Sequence, residues 1–199
     1  NFSVSGWVNQ KSSDVNLHIF ACTDTNSNNI HFDVNIQPTQ NRVALVYNNV
    51  AYYPSLSYQS GWNHYAITLS GTTLKTYVNG SPFDTRTVTV ASTSGNRQTI
   101  GTRLRQSYSS YGSGKIDQVR IYDIALTQAN VTTLYEEALD SNISISGLVA
   151  HYDLEGNSKD TVGSFGSLVS SNQKIDLDVD GYTSGSVADL SGNSNTATV

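Results

Sequence analysis

The sequence of 199 residues is short of cysteine and of charge, and both shortages exclude classes of protein. Its one cysteine, Cys22, cannot form a disulfide within the chain, and its apolar neighbours Ile19 and Phe20 predict a small, buried hydrophobic side chain. Charged residues make up 14% of the chain, with 11 basic against 16 acidic residues and a net charge of -5. Such a chain offers no basic surface that follows phosphates, so we expect no nucleic-acid partner.

Long apolar runs are also missing. No stretch has the length and hydrophobicity of a membrane-spanning helix or of a signal peptide, so we expect no membrane insertion. The chain begins with Asn1 and not with methionine, and we expect it to be processed or excerpted from a longer protein.

What the sequence has in abundance is Ser, Thr, Asn, Gly and Tyr, the composition of a polar, uncharged β protein. Its apolar residues alternate in short segments separated by polar turns, and the even spacing predicts a sandwich or jelly roll. Ser70 to Thr73 predicts a hairpin turn, with Gly71 available for positive φ. The predicted strands are Phe2 to Asn9, Asn16 to Cys22, Ile30 to Ile36, Arg42 to Asn48, Trp62 to Ser70, Leu74 to Val78, Thr85 to Val90, Gln98 to Ile100 and Lys115 to Tyr122.

The last of these strands leads directly into a predicted helix. Lys115 to Tyr122 has mostly apolar residues on alternate positions, which indicates a half-buried strand. The period then changes to helical spacing after Thr127, a favourable N-cap residue, and we expect the helix to end near Leu139.

Three segments carry a family resemblance that covers about the first two thirds of the chain. Gly114 to Tyr122 reads Gly-x-Ile-Asp-x-Val-Arg-Ile-Tyr and, with Leu126, resembles the closing strand and helix of laminin-G-like jelly rolls in the concanavalin A-like lectin and glucanase superfamily. Phe2 to Val8 resembles the Phe-x-Ile-Ser-x-Trp-Val strand of that family, and Gly61 to Gly80 resembles its central hairpin. The resemblance implies an all-β fold, a two-sheet antiparallel jelly-roll sandwich with one short helix after the closing strand.

The order of the segments departs from the family pattern. Residues 1–140 resemble a jelly roll that lacks its opening strands, whereas residues 141–199 contain segments similar to those opening strands, most clearly Gly147 to Asp160. Because an open edge strand must be paired or covered, we expect the tail to be used. It closes its own domain, is donated to a neighbouring subunit, or begins a second domain of a tandem array.

The resemblance also implies a calcium ion near Asp117. A half-buried carboxylate needs a partner, and calcium takes several oxygen ligands. The second ligand would come from the opening-like segment, from Asp153, Asp160 or Asp189. The alternative is a hydrogen bond or ion pair from Asp117 to Lys115 or Arg120.

A second metal candidate lies in the tail, where Asp176, Asp178 and Asp180 precede Gly181 as in the start of an EF-hand loop. The twelfth position is Val187 and not the glutamate of that motif. The aspartates also alternate with apolar residues, so a strand with an acidic face explains the pattern without a metal.

Two loops rich in tyrosine and serine are the candidates for ligand binding. Tyrosine presents a flat apolar face and a hydroxyl, which suits a pyranose ring and equally suits a protein surface. The candidate residues are Tyr52, Tyr53, Tyr58, Tyr108 and Tyr111. Ordinary loop packing or an assembly interface is the alternative.

Catalysis has little support in the sequence. The Glu-x-Asp-x-x-Glu strand of the glucanases is absent, and the only glutamates are Glu136, Glu137 and Glu155. The four histidines lie in strand patterns without a nucleophile elbow, which favours structural roles. We therefore expect no catalytic residues and no enzymatic activity.

These observations predict a non-catalytic recognition or adhesion module. We expect it to be supported by calcium, to bind glycans or extracellular proteins, and to lie outside the cell or on the surface of a cell or virion. The alternative is a structural subunit of a fibre, filament or tail that self-assembles through its terminal strands. The low charge and neutral polar surface suit both.

Overall fold

A computed structural model describes residues 1–90, 95–137, 143–154 and 161–162, together with the backbone of two short strands at 186–187 and 197–198. A 3-10 turn at Pro38–Gln40 follows the third strand. The elements are β1 (Phe2–Asn9), β2 (Leu17–Thr23), β3 (Ile30–Gln37), β4 (Arg42–Tyr47), β5 (Val50–Tyr52), β6 (Trp62–Ser70), β7 (Thr73–Val78), β8 (Ser81–Thr87), β9 (Arg97–Thr99), β10 (Thr102–Leu104), β11 (Ser109–Tyr111), β12 (Lys115–Tyr122), α1 (Gln128–Tyr135), β13 (Leu148–Tyr152), β14 (Ser186–Val187) and β15 (Ala197–Thr198).

Two antiparallel sheets pack face to face. The six-stranded sheet has the order β13-β12-β1-β6-β7-β8, and the five-stranded sheet has the order β5-β4-β3-β2-β9. Each strand turns alternate side chains inward, and the core therefore draws on both sheets, for example Val4 and Ile67 from one and Val34 and Leu45 from the other. The predicted all-β sandwich with one short helix is confirmed.

The outer face of the six-stranded sheet, which points away from this core, is covered by α1. Leu126, Val131 and Leu134 pack there against Tyr77 and Tyr122 in a second apolar cluster. Thr127 caps the helix as predicted, because its side chain accepts from the backbone N–H of Asn130.

The predicted end of the helix near Leu139 is wrong, since α1 ends at Tyr135. Glu136 is the C-cap, and the next residue, Glu137, forms an ion pair with Arg120 at 2.7 Å. This ion pair holds the chain beside the sheet at the point where the helix would otherwise continue.

The outer face of the five-stranded sheet is polar. Along β3, the even-numbered residues Phe32, Val34 and Ile36 enter the core, while Asp33, Asn35 and Gln37 alternate with them on the outer face. The β10–β11 hairpin lies over part of this face, because Arg103 donates to Asp33 at 2.8 Å.

Several strand predictions need correction. The three-residue strands β5, β10 and β11 were not predicted, and the equally short β9 was predicted one residue late, because such short segments carry little alternation. The strand predicted at Thr85 to Val90 instead begins at Ser81, directly after the turn at Asn79 and Gly80, both of which have positive φ. The hairpin turn between β6 and β7 is present, with Gly71 at φ +55°.

The start of the tail lies beside the closing strand. β13 pairs antiparallel with β12, and Val119, Arg120 and Ile121 lie opposite Tyr152, His151 and Ala150. The opening-like segment of this chain therefore pairs with its own closing strand. Most residues beyond Leu154 lie outside the described part of the chain, so the division into domains stays a prediction.

Candidate functional site

A small cleft that is open to solvent lies at one end of the sandwich, where β1 and β3 end and β4 and β6 begin. Its floor consists of residues with apolar surface: Val8, Ile36, Pro38, Leu56 and Tyr65. Its walls carry the polar side chains of Gln10, Gln37, Arg42, Tyr58, Gln59 and Asn63. An apolar base with convergent polar groups is the usual make-up of a small-ligand site.

The segment of residues 53–61 forms one wall and is held by Asn41, which follows the 3-10 turn in a left-handed conformation with φ 49°. The backbone carbonyl of Asn41 accepts from the N–H of Leu56 at 2.8 Å, and its side-chain oxygen accepts from the N–H of Tyr58 at 3.2 Å. The hydroxyl of Tyr58 then donates to the carbonyl of Gln10 at 2.9 Å. The wall is therefore attached to both β4 and the end of β1.

Arg42 is positioned by its neighbours on the outer face of the five-stranded sheet. Its Nε donates to Gln37 Oε1 at 2.6 Å, and Gln37 Nε2 donates to Asn35 Oδ1 at 2.8 Å. The chain of hydrogen bonds continues from Asn35 Nδ2 to Asp33 Oδ2 at 2.9 Å. The Arg42 guanidinium also lies 4.1 Å from the ring centroid of Tyr53, a cation–π contact.

Gln10 contributes an acceptor that has no partner. Its Nε2 donates to the carbonyls of Val15 and Ser113 at 2.9 and 3.0 Å, which fixes the orientation of the amide. Its Oε1 is buried and accepts no hydrogen bond from the part of the chain that the structure describes. An unsatisfied buried acceptor costs about 1–3 kcal/mol, so a donor that reached it would be bound favourably.

Two further amides of the cleft are held by Asn79. Its Nδ2 donates to Asn63 Oδ1 at 2.9 Å and to Gln59 Oε1 at 3.1 Å. Asn63 in turn donates to the carbonyls of Gln59 and Gly61 at 3.2 Å each. The polar wall opposite Gln37 is thus preorganised by hydrogen bonds within the protein.

The structure divides the five candidate tyrosines among three places. Tyr58 lines the cleft, and Tyr53, 48% exposed, contacts it through Arg42. Tyr52 is half-buried against the core and lies 5.8 Å from the guanidinium of Arg86. Tyr108 and Tyr111 are 55% and 58% exposed at the β10–β11 hairpin, and neither lines the cleft.

Sequence reasoning missed Gln10, Arg42, Gln59 and Asn63. Amides are common in this chain, and nothing in their spacing marks these few. The sequence did offer one signal for a binding residue: Arg42, one of only 11 basic residues, precedes a tyrosine-rich loop.

His18 connects the β10–β11 hairpin to the five-stranded sheet. Its Nδ1 lies 2.7 Å from Asp33 Oδ1, and its Nε2 lies 3.0 Å from Ser110 Oγ. This connectivity is that of a Ser-His-Asp triad, but Asp33 also pairs with Arg103, and Ser110 lies within a strand and not on a nucleophile elbow. The arrangement is therefore explained by cross-linking of the hairpin to the sheet.

The remaining histidines also have identifiable packing or polar contacts. His31 lies 2.9 Å from Asp24, and His151 lies 2.7 Å from Gln118. His64 packs against Trp7, with ring centroids 5.3 Å apart. Burial, with the nearby positive charge of Arg120 as a second cause, lowers the pKa of His64 to about 3, so its ring is neutral at physiological pH.

Of the seven candidate calcium ligands, only Asp117 and Asp153 belong to the described residues; Asp160, Asp176, Asp178, Asp180 and Asp189 lie outside them. Asp117 Oδ1 accepts from the backbone N–H of Gln118 at 2.7 Å, and Asp153 Oδ1 is buried without a hydrogen-bond partner in the described region.

Asp153 follows Tyr152, whose partner Val119 lies two residues beyond Asp117, so both carboxylates belong to the same end of the β12–β13 pair. Two carboxylates supply fewer than the six to eight oxygens that calcium takes. Within the described ranges, no group of three or more His, Cys, Asp or Glu side chains is arranged to hold a metal.

Cys22 is half-buried, with its side chain packed against the core and near Gln98. Burial raises the pKa of its thiol. Among the described residues, no helix is long and apolar enough to cross a membrane.

A two-sheet antiparallel sandwich with a short helix over one outer face is the architecture of a jelly-roll protein. The chain belongs to the concanavalin A-like lectin and glucanase superfamily, whose laminin-G-like family model matches residues 1–132. The resemblance seen in the sequence is therefore confirmed. No protein among the curated sequences gives a significant match.

Solved structures with the same fold include carbohydrate-binding proteins. A candidate carbohydrate-binding protein from Bacteroides ovatus is similar with a TM-score of 0.65 and 18% identity, over 82% of this chain and 50% of that one. The chain thus spans half of that protein's length. At such identity the likeness shows the fold.

Two further structures show the same similarity. The CBM40 module of the Ruminococcus gnavus IT-sialidase, solved with α2,3-sialyllactose, has a TM-score of 0.58 and 14% identity, over 67% of this chain and 82% of the module. A heptameric SAP-like pentraxin from Limulus polyphemus has a TM-score of 0.51 and 21% identity, over 68% and 69% of the two chains.

Proposed function

We propose that this protein is a non-catalytic glycan-binding module and that its ligand occupies the cleft lined by Gln10, Arg42, Tyr58 and Asn63. The observation that carries the proposal is a cleft whose amide side chains are held in fixed orientations by hydrogen bonds within the protein, with the unpaired Oε1 of Gln10 buried beside it. Sugar hydroxyls both donate and accept hydrogen bonds, and the amides of the cleft offer partners of both kinds.

The apolar floor supports the same proposal. A pyranose ring has an apolar face as well as polar edges, and the half-buried Leu56 provides apolar surface between the polar walls. Because the walls are fixed by internal hydrogen bonds, little conformational entropy is lost when the ligand binds.

The fold supports the proposal at the level of class. A candidate carbohydrate-binding protein and a sialidase binding module share the sandwich. A fold hosts many functions, so the site and not the fold identifies the ligand position.

A glycan array followed by calorimetry on the best hits tests the proposal. We expect binding that Gln10→Leu weakens about tenfold or more, because this variant removes both the free acceptor and the two hydrogen bonds that orient it. Tyr111→Ala is the matched control, since Tyr111 is exposed and does not line the cleft. Equal losses in both variants, or no glycan binding by the folded protein, would contradict the proposal.

Calcium support and a location outside the cell or on a surface belong to the same proposal. The buried Oδ1 of Asp153, without a partner among the described residues, supports a cation near β13. Asp117, on the neighbouring strand, would be its second carboxylate ligand, and the remaining oxygens would come from water or from outside the described residues.

A further inference from the structure

Arg42, like Arg97 and Arg105, has no acidic partner among the described residues, and of these three only Arg42 lines the cleft. Arg86 pairs with Asp84 at 2.7 Å, Arg103 with Asp33 at 2.8 Å and Arg120 with Glu137 at 2.7 Å. Among the described residues no carboxylate lies within ion-pair distance of Arg42, although the protein as a whole is acidic. Its charge is therefore not neutralised by the fold.

The guanidinium of Arg42 is nevertheless held in one orientation. Its Nε is committed to Gln37 Oε1 at 2.6 Å, and its plane lies against Tyr53 with 4.1 Å to the ring centroid. The two terminal nitrogens make no hydrogen bond to the described residues. A fixed guanidinium with free terminal N–H groups has the geometry that binds a carboxylate through two parallel hydrogen bonds.

The rest of the cleft lining accepts a negative charge. It contains no aspartate or glutamate, and its polar groups are amides, two tyrosine hydroxyls and Arg42 itself. A ligand carboxylate at Arg42 would therefore meet no repulsion from the walls, while its hydroxyl groups would meet the amides of the cleft.

We infer that the glycan carries a carboxylate and that Arg42 binds it. The ligand class is an acidic pyranose within an oligosaccharide, either a sialic acid or a uronic acid, with its carboxylate on the Arg42 terminal nitrogens and Tyr53 beneath the guanidinium. This inference rests on the proposed function, because it names the substrate class of the same cleft.

Calorimetry with matched sugars tests it. The probes are sialyllactose against lactose, and a uronic-acid disaccharide against its neutral counterpart, each acid also being offered as its methyl ester. We expect one acid to bind at least about tenfold more tightly than its neutral counterpart, and the ester to lose that advantage. The sialic and uronic arms identify which acid is the ligand.

Variants of Arg42 separate charge from geometry. Arg42→Gln should abolish the preference for the acid over its neutral counterpart. Arg42→Lys keeps the charge but not the paired N–H groups, so it should retain only part of the preference. Arg86→Gln is the control, because Arg86 is already paired with Asp84 and should leave the preference intact. Thermal unfolding confirms that each variant is folded.

The outcomes distinguish this inference from the proposed glycan-binding function on which it rests. If acidic and neutral sugars bound equally and Gln10→Leu weakened both, the role of Arg42 would be overturned. The proposal that the cleft binds glycans would remain. A preference for acids that survives in Arg42→Gln would also overturn it. No binding of any glycan would overturn both.

Discussion

The two outer faces of the sandwich are built differently, although the strands beneath them obey the same alternation. On the six-stranded sheet, α1 seals the face with buried apolar side chains such as Val131 and Leu134. On the five-stranded sheet, the face carries the hydrogen-bonded series Asp33, Asn35 and Gln37, which leads to Arg42 and the cleft.

Under the proposed function, the helix-covered face serves stability and the polar face serves ligand recognition. Apolar burial under α1 contributes mainly to the free energy of folding, whereas the polar series orients groups that have unused hydrogen-bonding capacity. Substitutions on the two faces should therefore have different signatures: loss of stability alone under the helix, and loss of binding with or without stability along the polar series.

The largest effect is expected under the helix. Leu134→Ala removes a fully buried side chain and should lower the free energy of unfolding by about 3 kcal/mol, as measured in urea. Glycan affinity of the remaining folded protein should not change. Thr133→Ala, at an exposed position of the same helix, is the control and should cost well under about 1 kcal/mol. If the folded Leu134→Ala protein bound glycan with altered affinity, the two outer faces would not have separate roles.

Substitutions in the polar series should affect both stability and glycan binding. Asp33→Asn removes the charge that pairs with Arg103 and one of the two carboxylate oxygens that His18, Arg103 and Asn35 contact, and it should cost about 3 kcal/mol. It should also weaken glycan binding, since Asp33 anchors Asn35. Asp84→Asn, whose partner Arg86 is much more exposed, should cost about 1 kcal/mol or less. If Asp33→Asn lowered the free energy of unfolding no more than Asp84→Asn, the hydrogen-bonded series would not stabilise the fold.

Acid should act mainly on the helix-covered face, through His64. The pKa of His64 is about 3 in the folded protein against an ordinary value of 6.5 for histidine. Between these two pH values the unfolded chain carries a proton on this ring that the folded protein lacks. This contribution to stability is complete above pH 6.5 and is lost as the pH falls toward 3, by up to about 1.4 kcal/mol per pH unit.

His64→Phe should flatten that part of the stability curve. Unfolding in urea at neutral pH and at two acidic pH values measures the difference between the two proteins. The control is His31→Gln, which changes a half-buried ring on the five-stranded sheet. Parallel curves for the native protein and His64→Phe would contradict the burial of a neutral imidazole.

The smallest expected effect is that of calcium. If Asp117 and Asp153 take part in a calcium site, millimolar calcium should raise the free energy of unfolding by about 1 kcal/mol over a chelated sample. Asp153→Asn should remove the increment, while Asp84→Asn should keep it. An identical melting temperature with calcium and with chelator would exclude the site.

The sequence predicted the long strands better than the short ones. The bounds of β1, β6 and β12 are as predicted, because each has enough alternating residues to define a face. The strands β5, β10 and β11 have three residues each and are fixed by their neighbours, which a local pattern does not encode.

Of the tyrosines that the sequence singled out, only some lie at the proposed cleft, and the ligand-binding site stays a prediction. Tyrosine chemistry pointed to Tyr53 and Tyr58, but it pointed equally to Tyr52, which packs against the core. Gln10 and Arg42 were singled out because each lacks a partner among the described residues: a hydrogen-bond donor for Gln10 Oε1 and a carboxylate for Arg42. The sequence cannot show this, because it depends on which residues the folded strands bring close.

The most direct test of the glycan cleft is a titration of the isotope-labelled protein followed by nuclear magnetic resonance. With an acidic oligosaccharide from the array, the side-chain amide signals of Gln10, Gln37, Gln59 and Asn63 and the Nε–H signal of Arg42 should shift together. The backbone signals of α1 should stay in place. Shifts confined to the Tyr108 and Tyr111 hairpin, or no shifts at ligand saturation, would contradict a binding site in the cleft.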